Sequence, residues 1–304
     1  MKSALLAILI CLLTGSLAAA EEKQDVATLL KLAHKHKANA TRELERAGRN
    51  TDASERLPHL QNARDLLQTS RDQFSAADRL LQTQWKSFPP VIDRKENPDQ
   101  YTARSRVRIS LIQVQLEIAE NSYRQSRAAK PDDPAHNRLL LQAGQEYEQI
   151  YQQYRSTLAG LIARSRQARC LYETGNIPLA LGISHELLAH HGRSEPLLAL
   201  QDQARHLQLS CLNHDSRKDF ARAIREARQW IGMAPETRVN SASGQGIRWE
   251  FSRGLEQLAQ QDTTLPEDRA SLLAEAVAVL DRLKKIEGTY QKRAADKARE
   301  LRQP

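Results

Sequence analysis

Ala168-Arg169-Cys170-Leu171-Tyr172-Glu173-Thr174-Gly175-Asn176-Ile177-Pro178-Leu179-Ala180-Leu181 is the stretch that decides the fold, because the chain repeats its design further on. Laying Ala180 over Ala223 sets Gly175-Asn176-Ile177-Pro178-Leu179-Ala180-Leu181 against Lys218-Asp219-Phe220-Ala221-Arg222-Ala223-Ile224, and Leu187-Leu188 against Trp230-Ile231. Upstream, Cys170-Leu171 faces Cys211-Leu212, with a turn two residues longer in the second copy. Each copy reads as a helix, a tight turn and a second helix. The logic is steric: an alanine at a helix crossing lets two backbones approach, bulky neighbours fill the groove beside it, and a proline stops the second helix. A weaker copy precedes these, with Ala143, Tyr147, Ile150 and Tyr154 as the stripe of a second helix.

This pattern resembles the tetratricopeptide repeat, with Gly175, Ala180, Phe220, Ala223, Trp230 and Pro235 at its structural positions. The first copy departs from it, carrying Ser184 and Gly192 where bulk and proline are expected, and opening with Arg164 and Arg166 in place of an apolar anchor. Spacings of 37 residues from Ala143 to Ala180 and 43 from Ala180 to Ala223 mark the repeats as degenerate. The run Ala168–Leu181, with Phe88-Pro89-Pro90-Val91-Ile92-Asp93 before it, is also similar to secreted tetratricopeptide proteins of the planctomycete type. The resemblance implies a scaffold that binds a protein or peptide partner.

Outward from the repeats, the chain is helical throughout. Only 12 glycines and 11 prolines occur, and aromatics make up 5%, so helix formers dominate and the prolines act as punctuation. Between them the patterns predict helices over 24–46, 54–85, 98–128, 135–155, 157–174, 177–190, 195–214, 218–233, 244–261 and 267–302. Val107/Leu111/Val114/Ile118 and Ile109/Ile112/Leu116/Ala119 form two apolar stripes on one helix, which must therefore be covered on two sides. The last helix shows one stripe, Val279, Leu283, Ile286, Tyr290, Ala294, Ala298 and Leu301, backed by Lys284, Lys285, Lys292 and Arg299, as expected of a terminal cap. The fold class read here is all-α, an α-α superhelix or tetratricopeptide-like helical repeat array over 134–304, preceded by long helical hairpins over 21–133.

Residues 1–20 read as a signal peptide: Lys2, an apolar run from Ala4 to Leu13, and small Ala18 and Ala20 before Glu21-Glu22-Lys23. That run is too short to span a membrane, so cleavage near Ala20 and a periplasmic or extracellular location are expected. The net charge of +8, or +7 without Lys2, suits acidic partners, although the 45 basic and 37 acidic residues are interleaved along the chain. Cys170 and Cys211 occupy equivalent first helices. In an oxidising compartment they are placed either to form a disulfide or to remain buried thiols.

Chemistry-bearing motifs are absent. His185-Glu186-Leu187-Leu188-Ala189-His190 misses the zinc-protease spacing by one residue, which puts the two imidazoles about 140° apart around a helix. The pairs His34/His36 and His206/His214 do not converge on one face, and Gly244-Gln245-Gly246 reads as a loop entering the next helix. Asn39-Ala40-Thr41 is a glycosylation sequon, relevant only in a eukaryotic secretory route. The expectation is an exported, non-enzymatic scaffold for protein–protein interaction with no cofactor and no metal. The alternative is a structural envelope factor that binds anionic cell-wall or lipid polymers through basic helix faces. Nucleic acid is not an expected partner, and no binding residue is singled out.

Overall fold

The computed structural model describes residues 25–50, 52–129 and 133–303, so the expected signal peptide lies outside the described residues. They form twelve helices and no strand: α1 Val26–Arg49, α2 Ala53–Lys86, α3 Pro98–Ala128, α4 Pro134–Tyr154, α5 Leu158–Glu173, α6 Ile177–Leu188, α7 Glu195–Leu212, α8 Phe220–Met233, α9 Glu236–Val239, α10 Ala242–Ala259, α11 Pro266–Leu283 and α12 Gln291–Glu300. Among the described residues no helix is long and apolar enough to cross a membrane. The chain divides into two compact units with the boundary between Glu117 and Ile118, inside α3.

In the first unit α1 and α2 pack as an antiparallel pair along Ala33, Ala40 and Ala47 on one side and Ala63, Leu67 and Phe74 on the other. Ser70 Oγ donates to the Ala33 carbonyl at 2.9 Å, and His34 meets Phe74 edge-on. These contacts set the register. α3 joins through Gln115, which donates to Asp78, and through Glu117, which pairs with Lys37. From Leu111 to Ala129 only Gln113 and Arg127 of α3 are exposed, so its two apolar stripes are both covered there, while Ile109 remains in solvent.

The second unit is an array of helix pairs. α5 packs on α6, α7 on α8 and α10 on α11, either directly or through the next pair, and the first helices also pack side by side, α5 on α7 and α7 on α10. An inner layer of α5, α7 and α10 thus lies against an outer layer of α6, α8 and α11. The core between them includes Ala168, Ile177, Ala180, Leu187, Leu209, Leu212, Ala223, Ile224, Ile247 and Leu255. Ala180 and Ala223 are fully or almost fully buried at the crossings, and Ala143, Tyr147, Ile150 and Tyr154 form the buried stripe of α4 against α5.

The turn between the helices of a pair is the same object in both copies. Gly175 has φ +82° and its counterpart Lys218 has φ 51°, and Lys218 stands alone among non-glycine described residues with a positive φ. In each copy the following amide donates back into the first helix, Asn176 N to Leu171 O at 2.8 Å and Asp219 N to Leu212 O at 2.9 Å. The overlay of Ala180 on Ala223 sets these two residues opposite each other.

Two expectations need correction. The single helix over 267–302 is two, because the chain turns back at 284–290 so that Ala294 and Ala298 of α12 pack on Leu280 and Leu283 of α11. Gln245 holds that turn by donating to the Glu287 carbonyl. Gly244-Gln245-Gly246 lies within α10 and is no loop. A Cβ at Gly246 would come within 2.5 Å of the His206 ring, so glycine is what lets α10 approach α7. Trp230 is only half-buried, at the rim of the outer layer, because its indole N–H needs an acceptor and finds one in Asp202 at 2.9 Å.

Two outcomes are expected in denaturant unfolding. Gly175→Ala, which meets no neighbouring atom, costs about 1 kcal/mol through its left-handed backbone, and Lys218→Gly gains a similar amount less the entropy of glycine. Phe220→Ala costs about 3–5 kcal/mol as a buried aromatic, and Trp230→Phe costs less than half of that because it loses chiefly the bond to Asp202.

Candidate functional site

The inner layer carries the site. At 100° per residue, the α5 positions turned away from α6 are Ile162, Arg166, Arg169 and Glu173, and those of α10 turned away from α8 are Trp249, Arg253 and Glu256. Arg166 and Arg169 are each 44% exposed, yet neither is loose. Arg166 lies 3.3 Å from Glu120 and over the Tyr147 ring; Glu120 in turn accepts from Tyr147 Oη at 3.1 Å and from Arg124 at 2.8 Å. Arg169 donates to Glu173 at 2.6 Å, and Glu173 also accepts from Tyr123 Oη. Each guanidinium is therefore anchored from behind by a largely buried carboxylate, and its remaining donors face outward.

Electrostatics follow from this stacking. Burial works against the charge of Arg169, but Glu173 beside it outweighs that and holds its pKa above the ordinary value. Burial, then the neighbouring Glu173, pushes Tyr123 up to about 12, and burial, then Glu120, holds Tyr147 well above its usual range. Both phenols stay protonated donors to their glutamates.

Between α5 and α7 lies a cavity of about 250 Å³ lined by Ser165, Arg166, Arg169, Gln203, His206 and Leu207. His206 faces Tyr290 Oη at 3.4 Å and packs on Gly246. Its pKa is lowered, first by burial, with Glu250 opposing and Arg169 adding to the effect. Glu250 is itself buried, accepting from Asn213 through both its backbone carbonyl and its carboxylate and from Arg253 at 3.0 Å. Arg293 caps the far end, lying over Trp249 at 4.6 Å, while Tyr290 lies beside Trp249.

Arg164, which departed from the repeat pattern at the opening of the first copy, has a role too. Arg164 lies over the Tyr151 ring at 4.7 Å, pairs with Glu186 on α6 at 2.8 Å and donates to Gln167. Arg205 repeats this in the next copy, pairing with Glu226 on α8 and donating to Gln208. Arg-x-x-Gln thus recurs 41 residues apart, the same spacing as Cys170 and Cys211. That recurrence was legible in the sequence and would have identified the helix-pair lock; nothing there distinguished Arg166 and Arg169 as outward-facing.

Other named residues fall elsewhere. Cys170 and Cys211 are free thiols, both buried, and burial raises each to about 12, so neither forms a thiolate near neutrality. His190 lies beyond the end of α6, whereas His185 faces Arg222 at 3.3 Å, and burial together with that guanidinium lowers its pKa. Among the described residues no group of three or more His, Cys, Asp or Glu side chains converges as a metal site. Pro235 is exposed at the start of α9, and a second cavity of about 530 Å³ lies beside it, floored by the buried Asp202 that Arg238 and Trp230 both bond.

No protein-family model matches the chain, and no curated protein matches it. A solved structure described as "Computational Design of Self-Assembling Cyclic Protein Homooligomers" aligns over 91% of this chain and 91% of its own at 13% identity with a TM-score of 0.24, and a likeness that loose carries no argument.

His206 and His185 both titrate below the unfolded value of 6.5, so the unfolded chain binds more protons there, and their contribution to stability is complete above pH 6.5 and declines as pH falls below it. Unfolding midpoints measured downward from pH 7.5 are expected to fall, and the fall is expected to be shallower in His206→Gln. An unchanged slope would remove His206 from the account.

Proposed function

We propose that this protein is an exported, non-enzymatic scaffold of the tetratricopeptide type, related to the secreted planctomycete proteins, whose inner layer binds an extended acidic segment of a partner polypeptide. One observation carries the reading: Arg166, Arg169 and Arg253 present guanidinium groups along α5 and α10 while the carboxylates that hold them, Glu120, Glu173 and Glu250, are largely buried behind. Such a surface offers fixed donors and few acceptors, and guanidinium matches carboxylate geometry with little rotamer entropy to lose. Gln203, exposed on α7 between them, adds an amide able to pair with a peptide backbone. Export rests on the reading of residues 1–20. The helix-pair packing and the absence of a recognisable catalytic motif in the sequence support a binding role.

A photocrosslinking residue at Gln203, in the chain expressed in its native host, is expected to capture one protein at a stoichiometric level, and the same residue at exposed Arg225 on the outer layer is not. Reversing Arg166 and Arg253 to Glu is expected to weaken capture about tenfold or more, with sensitivity to salt since half-exposed charges are screened within about 10 Å at 0.1 M. Equal capture from both positions, or none from either, overturns the reading. N-terminal sequencing of the secreted chain tests export, with Glu21 the expected first residue.

A further inference from the structure

The α2–α3 tip of the first unit is a separate surface with its own chemistry. The Ser70–Ala33 register brings Val26 opposite about Ala77, so the last turns of α2 run past Val26, and among the described residues α3 meets them through Gln115 on Asp78 and Arg104 over Trp85. Leu81 is buried there, and Arg104 of α3 lies over the Trp85 ring at 4.5 Å while donating to the Pro90 carbonyl at 2.8 Å, which ties the linker 87–97 across the tip. At the apex stand Pro89, Pro90 and Val91, all exposed, with Val91 at 85%. Tyr101 and Ile109 are exposed below them, Tyr101 under the Arg94 guanidinium at 5.7 Å.

Charge surrounds this apolar apex. Lys86, Arg94, Lys95, Arg106 and Arg108 are all exposed and have no ion-pair partner among the described residues; with Arg104 they make six cations between Leu80 and Ile109, against the three acids Asp93, Glu96 and Asp99. Asp93 is partly occupied, accepting from the Lys95 and Glu96 amides as a turn cap. A convex apolar point ringed by cations, with Trp and Tyr rings held at its flank by arginines, matches a surface that deforms around it and carries diffuse negative charge.

We propose that the α2–α3 tip docks on an anionic lipid bilayer surface, with Pro89, Pro90 and Val91 entering the headgroup region and the basic ring paired with lipid phosphates. The small apolar apex makes binding depend on the cations, so neutral bilayers are poor partners. This surface is independent of the inner-layer site.

Because Cys170 and Cys211 are buried, a Val91→Cys variant that also carries Cys11→Ser takes an environment-sensitive dye at position 91. The probe is phosphatidylcholine vesicles with and without about one third phosphatidylglycerol. The expected result is a blue shift and co-sedimentation with the anionic vesicles only, a shift about tenfold weaker when Arg94, Lys95 and Arg106 are reversed to Glu, and no shift from a dye at Leu265→Cys in the second unit. Comparing tip variants within the same chain cancels any binding by residues 1–20. Unaltered binding by the charge-reversed tip, an equal response to neutral vesicles, or a response to polyglutamate in place of vesicles overturns the proposal. All these positions are exposed, so helical content and melting are expected to stay those of the parent, which circular dichroism checks.

Discussion

Two helix pairs of the second unit, α5–α6 and α7–α8, each turn on one residue in a left-handed conformation. At Gly175 and Lys218 the backbone reverses just after the first helix, and the next amide reaches back to the Leu171 or Leu212 carbonyl. That bond sets where the second helix starts and therefore which of its residues meets the first. Ala180 and Ala223 follow at the crossing because only a small side chain allows the separation that the turn dictates. With the pair geometry set, side-by-side packing of α5, α7 and α10 follows, and so does an inner surface distinct from the outer one.

Polar locks then hold the layers in register. Arg164 and Arg205 each reach from the inner layer to a glutamate on the outer one, with a glutamine one turn on taking a further donor. Replacing an apolar anchor by arginine does not weaken the pair when the aliphatic stem packs and the head is satisfied, as Arg164 does over Tyr151. The same device, turned outward, builds the candidate site: Glu120, Glu173 and Glu250 are largely buried, and what remains visible is guanidinium. A chain whose charges are interleaved along its length thereby acquires a basic inner face.

Residues such as Ala143, Tyr147, Ala180, Phe220 and Ala223 were legible in advance because their roles depend on local periodicity and on contacts between neighbouring helices. Nine of the ten expected helices correspond to observed ones within a few residues at most boundaries, and Pro98, Pro134 and Pro266 each begin a helix. Where expectation failed, the cause was tertiary. The 267–302 pattern kept its apolar spacing through a turn, since Ala294 and Ala298 reach the same core by folding back; periodicity alone cannot distinguish a continuing stripe from a returning one.

The sequence by itself determined the all-α class, most helix boundaries, the repeat and the crossing alanines, since these follow from 3.6-residue periodicity, proline placement and steric size. Only the tertiary structure decided which charges face outward. Arg166 and Arg169 differ from Arg164 by a rotation around one helix, and whether that angle meets solvent or another helix depends on α4, α6 and α7 arriving from distant parts of the chain. How far α2 runs past Val26 was settled the same way, by the register of α1 on α2.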